Sequence, residues 1–569
     1  MRLDALFAAA ALLCGVRAAA PSAATPPQAV FQSGADGRGG GLRSAPGTCP
    51  ASDAPRHLRV AVIGAGASGA SAAYFLSRAH AQLARDGDAP ECVDGSGAAW
   101  GSPRRSLHID MFERSGVVGG RTATVQPLDD PGLPPVEIGA SIFSNVNYNL
   151  VHASETFHLE RTAPRNISTE VWGLWDGKKF LVDYYDGSTW SQLKMYWRYG
   201  RSPQVTMKIV DKAVSSFLRV YSPRFLHDTR RPSGYPWRSV HDLVASLGFA
   251  RVTAESARDH FIAKRVSALF VDDMVNAGTR MNYAQDVDDI HAFAGQVALG
   301  ARGATSVRGG NAQLFEAMVN ASGATVHFGA AGEVTGLMKL VSYATQPCEG
   351  ARWSVGTRDG YGRRYDAVLV AAPWQDSRIV LLNTDRTLPA YAFQRLHVVV
   401  IATDAPHPSA AYFGHDASYE YVPRTILTTP GAAAFDPPLA NVTHGGQEYS
   451  RVFLVKLFSR SELDDAMLAS LFFPGRVLWA HRKAWDAYPK LTPTTKLAPF
   501  VVDDNLYNIN AMERWVSTME TSTVAAKNVV ALVLEKWLGT SFVRGSHCAF
   551  NKSTPGVALD WASWGCYSS

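Results

Sequence analysis

Gly64, Gly66 and Gly69 stand at a spacing that can hold a phosphate. The short apolar run Val60-Ala-Val-Ile63 leads into Gly64-Ala-Gly66-Ala-Ser-Gly69, and a small-residue helix pattern follows to Arg78. At this spacing the first glycine permits a tight turn, and the second lets a pyrophosphate approach the main chain. The third lets the helix lie close to its strand. The unpaired N–H groups at the helix start then face the phosphates. Glu113 ends His108-Ile-Asp-Met-Phe-Glu113, where an acidic residue takes the hydroxyls of a ribose. The usual interval is about 20 residues, and the polar, glycine-rich loop 86–105 lengthens it here. The chemistry is dinucleotide binding. No Ser/His/Asp, Cys/His or metal-ligand spacing accompanies it, so no metal is expected.

A second glycine turn narrows the dinucleotide. Gly116-Val-Val-Gly119-Gly120-Arg121 is followed by Val136-Glu137-Ile-Gly139-Ala140-Ser141. A simple nicotinamide enzyme has no use for that turn. An extended FAD does, because its pyrophosphate and its isoalloxazine both need backbone approach. Arg121 can offset phosphate charge or contact the flavin. Gly332-Glu333-Val334 reads as a turn into a strand that offers backbone to the adenine. Near the C-terminus Met519 and Glu520 open a helix whose apolar face carries Ala525, Val529, Leu532, Val533 and Trp537. Its N-terminus suits the ribityl and pyrimidine oxygens. The expected cofactor is FAD.

The elements that position these residues define an α/β chain. The expected fold is a Rossmann-type, glutathione-reductase-like FAD-binding domain with an inserted α+β substrate domain. The FAD-binding domain comes in three parts, 56–150, 301–375 and 501–540. A substrate or helical region (151–300) and substrate-domain strands (376–500) interrupt it, and 541–569 is a C-terminal tail. A strand is expected at Thr325–Phe328 and a buried strand at Tyr365-Asp-Ala-Val-Leu-Val-Ala-Ala-Pro373. Tyr184 to Gly200 is dense in aromatics, which suits an apolar substrate cavity or a peripheral membrane contact.

Composition restricts the class further. The 569 residues are 46% hydrophobic and 18% charged with net charge +5, so they can bury large cores. Pairs such as Arg230-Arg231 and Arg363-Arg364 are isolated, so no nucleic-acid partner is expected. Arg2, the apolar run Ala5–Val16 and small residues to Ala24 read as a secretory signal, with a low-complexity linker over 25–55. Sequons at Asn166, Asn320, Asn441 and Asn551 fit a lumenal route and N-glycosylation. Removal of the signal takes Cys14 of the six cysteines and leaves an odd number. Cys548 and Cys566 bracket the tail and are the expected disulfide.

The pair of blocks ERxGxxGGR and ExGAS resembles the flavin amine oxidase, desaturase and prenylcysteine oxidase superfamily. Below that level the chain resembles the prenylcysteine oxidase (prenylcysteine lyase) family from about Arg59 to Trp537. VEIGASIFSNVNYNL, FVDDMVNAGTRMNYAQDV and LYNINAMERWVSTMETSTVAAKNVVAL carry the resemblance. It implies an S-farnesyl or S-geranylgeranyl cysteine as substrate and molecular oxygen as acceptor. It also implies a setting in the secretory lumen, a lysosome or a vacuole. Within TRMNYAQ, Arg280 would pair the amino acid's carboxylate, with Tyr283 and Gln285 beside it. The alternatives are another FAD oxidase of the superfamily, a nicotinamide dehydrogenase, or a non-catalytic lipid-associated relative.

Overall fold

The first strand, β1 (His57–Ile63), carries a side-chain alternation that sorts residues to two cores. Val60 and Val62 point to one hydrophobic cluster and Ala61 and Ile63 to another, all at most 5% exposed. A strand covered on both faces belongs in the middle of a parallel sheet. In the computed structural model β1 pairs in parallel with β2 (Ser106–Glu113) on one side and β4 (Ala367–Val370) on the other. Beyond β2 lies β3 (Thr325–Phe328), and beyond β4 lies β6 (Leu506–Asn508), both parallel. Antiparallel β5 (Val501–Asp503) closes the edge, giving the order β5-β6-β4-β1-β2-β3. The described residues are 57–86, 106–163, 171–226, 234–300, 303–340, 352–416, 422–423, 425–428, 431–435, 439–539, 542–543, 561–562 and 564. The expected signal segment and linker, the sequons at Asn166 and Asn551, and every cysteine including Cys548 and Cys566 lie outside them.

One face of the sheet is covered by α1 (Ala67–Asp86), α2 (Ala312–Ser322) and α3 (Met519–Leu538). Ala70, Ala72 and Ala73 on α1 and Ala525, Ala526 and Ala531 on α3 are essentially unexposed, so the two helices pack closely. Phe75, Leu76, Val529 and Val530 fill the same core; each such side chain contributes about 1.5–3 kcal/mol. The other face is covered by a four-stranded sheet of Val334–Lys339, Trp353–Thr357, Gly362–Tyr365 and Val380–Leu382.

A second, larger sheet is built mostly from later strands. Phe393–Thr403 lies between Val477–Pro489 and Gln447–Ser459, and the sheet runs on through Gly431–Phe435 and Thr425–Thr428. Its far edge is Trp172–Trp175 and Phe180–Tyr185. The aromatic stretch from Tyr184 therefore starts on a strand, and only Thr189–Tyr199 is helical. Helices Ser202–Phe217, Asn276–Tyr283 and Ala292–Ala298 pack beside this sheet. Among the described residues no helix is long and apolar enough to cross a membrane.

Candidate active site and cofactor cradle

The turn after β1 is built so that glycine is required. Gly64 sits at φ +104, and a Cβ there would lie 2.9 Å from the Ala371 carbonyl oxygen at the end of β4. A Cβ on Gly69 would stand 1.8 Å from the Gly64 oxygen. Gly66 is different: a Cβ there would meet nothing closer than 3.8 Å, so protein packing leaves this glycine open. The second glycine turn lies directly alongside. Gly66 bridges Gly119, the Gly119 N–H donates to the Ala65 oxygen at 3.0 Å, and Gly120 adopts φ +61. The two glycine turns, well separated in sequence, thus form one cradle.

Glu113 stands at its rim. One carboxylate oxygen accepts the Ala65 N–H at 2.9 Å and the other the Ser115 N–H at 2.8 Å. Val334 begins its strand 4% exposed beside the end of β2. The preceding Gly332 is so close that a Cβ would lie 2.2 Å from the Glu113 carbonyl oxygen. Glu113 and Val334 therefore sit at the same end of the sheet as the cradle, an arrangement that fits an extended dinucleotide.

Arg121 leaves the cradle in another direction. Its guanidinium donates to the Ala487 oxygen at 2.7 Å and pairs with Glu513. These partners tie the glycine turn to the strand Val477–Pro489 and to the approach to α3. Behind it, Gly139 lies against the Arg121 carbonyl, and the Ala140 N–H donates to that oxygen at 2.9 Å.

A cavity of about 220 Å³ opens beyond Gly139. Its walls come from 139–144, from Ala213 and Phe217, from Met281 to Tyr283, from Tyr488 and from 516–521. The N-terminus of α3 is one wall, as the sequence implies. Its capping box is satisfied internally, with the Thr521 N–H donating to Thr518 Oγ1 and the Thr518 N–H to Thr521 Oγ1, both at 3.0 Å. Met519 and Glu520 line the cavity, and the Glu520 carboxylate is engaged by protein donors. It accepts the N–H groups of Asn149 at 2.9 Å and Leu150 at 3.0 Å, and the Tyr221 hydroxyl. It therefore caps the helix Tyr148–Thr156. Complete burial pushes its pKa up to about 7.

Of the three expected substrate residues, the structure brings one to the cavity. Tyr283 lines it, packs edge-on against Tyr488 with ring centroids 5.2 Å apart, and holds a buried hydroxyl without a hydrogen-bond partner. Arg280 does not line it. Its Nε donates to Asp286 at 2.5 Å, and Asp286 also receives Arg460 at 3.0 Å. Gln285 is also a structural link: it donates to the Tyr283 and Pro489 oxygens and accepts the Leu491 N–H at 2.7 Å. A guanidinium already matched by a carboxylate is a poor partner for a second one.

Two charged residues lie beside the cavity, Lys456, which was not anticipated from sequence, and Glu137, which was read only as part of the ExGAS block. Lys456, 1% exposed, donates from Nζ to the hydroxyl of cavity-lining Ser141 at 2.6 Å. Glu137 receives the Asn311 N–H at 2.5 Å through one oxygen, while the other is buried without a partner. Burial, opposed by that N–H and by Lys456, pushes Glu137 up to about 7. The available signal was a lysine inside the apolar strand Val452-Phe-Leu-Val-Lys456-Leu-Phe458.

The sheet order and the double glycine cradle define a dinucleotide-binding α/β fold. A putrescine oxidase double mutant shares this fold, with TM-score 0.50 and 13% identity over 84% of this chain and 99% of that one. The prenylcysteine lyase family model matches residues 183–543, and the chain belongs to that family. Farnesylcysteine lyase of Arabidopsis thaliana is 29% identical over 80% of this chain and 89% of its own length. Prenylcysteine oxidase 1 of Homo sapiens is 26% identical over 84% and 90%. Prenylcysteine oxidase 1-like of Bos taurus is 26% identical over 85% and 91%. Family and fold together make the chain a flavin-type oxidoreductase.

Proposed function

We propose that the chain is an FAD-dependent thioether oxidase that cleaves S-prenyl-L-cysteine. The substrate, oxygen and water would give free cysteine, a prenyl aldehyde and hydrogen peroxide. The observation that carries this reading is a double glycine cradle leading to a mostly apolar cavity in a member of the prenylcysteine lyase family. The residues present fit FAD: Gly64, Gly66, Gly69, Gly119 and Gly120 would hold its pyrophosphate, Glu113 its ribose, and the Val334 segment its adenine. When bound, FAD supplies a two-electron acceptor for the hydride leaving the carbon next to sulfur.

The protein's own part is positional. The C1 carbon of the substrate lies between sulfur and an alkene, so loss of hydride leaves a cation stabilised from both sides. No strong base is then required, and Ala213, Phe217, Phe293 and Tyr488 give the cavity an apolar wall. These side chains suit an isoprenoid tail and keep bulk water from C1. Water adds to C1, the oxygen loses its proton, and the C–S bond breaks with its electrons on sulfur, releasing cysteine and aldehyde. Tyr283, which lines the cavity and whose hydroxyl has no partner in the protein, would take the amino-acid end.

A lumenal setting is part of the proposal. The signal-like N-terminus supports it, as do exposed sequon asparagines Asn320 and Asn441. Adding S-farnesylcysteine to the purified flavoprotein without oxygen tests the reading: bleaching of the flavin band supports it, and an unchanged spectrum overturns it.

A further inference from the structure

Helix Thr189–Tyr199 carries an arrangement that the cofactor cradle and the cavity do not explain. Ser191, Met195 and Tyr199, at i, i+4 and i+8, are buried, and Met195 and Tyr199 join the core that also holds Met281 and Tyr283. The opposite face carries Trp190, Leu193 and Trp197 at i, i+3 and i+7, with Tyr196 beside them. Their exposures are 56%, 37%, 67% and 50%. Trp190 and Trp197 stack edge-on with centroids 5.7 Å apart, so the two indoles form one ridge. Large aromatics grouped this way on an outer face mark a contact surface. Exposed Lys194, Arg201, Lys208 and Lys212 surround and follow the ridge; Lys194 lies 3.9 Å from Asp183, and Asp211 is the one acid between Thr189 and Lys212 in sequence.

We propose that this helix is a membrane-docking element that lies in the headgroup layer of an anionic phospholipid bilayer. Tryptophan and tyrosine favour that layer, because an apolar ring and a polar N–H or O–H meet there. The surrounding lysines and arginine match negative headgroups. The helix also leads inward: two residues after it begins Ser202–Phe217, whose Ala213 and Phe217 line the cavity. A substrate dissolved in lipid would thus leave the bilayer beside the cavity wall. This last step rests on the proposed prenylcysteine substrate, whereas the docking itself does not.

The test is sedimentation of the full chain with phosphatidylcholine vesicles, with and without phosphatidylserine, read together with tryptophan emission. The expected result is binding that requires the anionic lipid, with a blue shift of emission. Trp190→Ser with Trp197→Ser should weaken binding at least about tenfold, and Lys194→Glu or Lys208→Glu about fivefold or more each. Turnover of detergent-dispersed S-farnesylcysteine should stay unchanged in all of them. Failure to bind anionic vesicles overturns the proposal. So does equal binding by the tryptophan variant, or a self-association of the chain that buries this face and is lost in that variant. Because binding is read without turnover, a wrong substrate assignment leaves the vesicle result intact and shows separately as absent turnover.

Discussion

Glu520 and Leu150 are joined across 370 residues: the glutamate's Oε2 accepts the leucine N–H at 3.0 Å. The first turn of α3 thereby caps the helix Tyr148–Thr156, and both segments line the cavity. The carboxylate is fully buried and satisfied by N–H and O–H donors, so its job is to fix the cavity's shape.

That burial gives stability a pH dependence. Glu520 and Glu137 are both raised to about 7 from an ordinary 4.5. Between those values the folded chain holds protons that the unfolded chain has lost. Their contribution is thus complete below about pH 4.5 and disappears as pH rises through about 7. His291 acts oppositely, since burial lowers it to about 3 and its contribution disappears as pH falls from 6.5 towards 3. Two carboxylates outweigh one imidazole over the neutral to mildly acidic range, by on the order of 2 kcal/mol between pH 7.5 and 5.5. Thermal unfolding should therefore give a higher Tm at pH 5.5 than at 7.5, and Glu520→Gln should flatten that slope. A Tm that rises with pH over this range would contradict the assignment.

The glycines separate cofactor binding from folding. Gly66→Ala meets nothing nearer than 3.8 Å, so stability should fall by no more than about 1 kcal/mol. Retained FAD should drop at least about tenfold, because the methyl group occupies the approach to the pyrophosphate. Gly69→Ala places a Cβ 1.8 Å from the Gly64 oxygen and should impair folding itself. Absorbance ratios and melting curves on the two variants check this. Full flavin content in folded Gly66→Ala protein would be inconsistent with the cradle.

Tyr283 and Arg280 should behave differently on substitution. Tyr283→Phe removes a buried hydroxyl that has no partner, so the resting protein should gain up to about 1 kcal/mol. KM for S-farnesylcysteine should rise about fivefold or more, from the loss of a polar contact to the substrate. Arg280→Ala leaves Asp286 with Arg460 alone and should cost about 1–2 kcal/mol of stability with little change in KM. Steady-state kinetics on both variants decides; a large KM effect confined to Arg280→Ala would restore its role as the carboxylate's partner.

What the sequence revealed depended on how local each device is. The strand, glycine turn and helix from Val60 to Arg78 lie within one stretch, and glycine spacing reports backbone geometry directly. Gly119–Arg121 was legible as a second turn, but its contact with Gly66 is tertiary. Glu520 was legible as the first turn of a helix, but that its carboxylate caps a segment 370 residues away is tertiary. Arg280 is misleading in sequence, because Asp286 and Arg460 neutralise each other and it only after the 447–459 strand pairs. Lys456 could have been singled out, as a charge inside an apolar strand needs a buried partner.

The central claim is that this cradle and cavity bring a prenyl thioether against a flavin. Anaerobic mixing of the flavin-loaded protein with S-farnesylcysteine, followed in the visible spectrum, tests it most directly. The account predicts loss of the flavin band with one equivalent each of cysteine and farnesal per flavin, and recovery of the band with hydrogen peroxide when oxygen is admitted. A flavin-loaded protein whose spectrum S-farnesylcysteine and S-geranylgeranylcysteine both leave unchanged would contradict it.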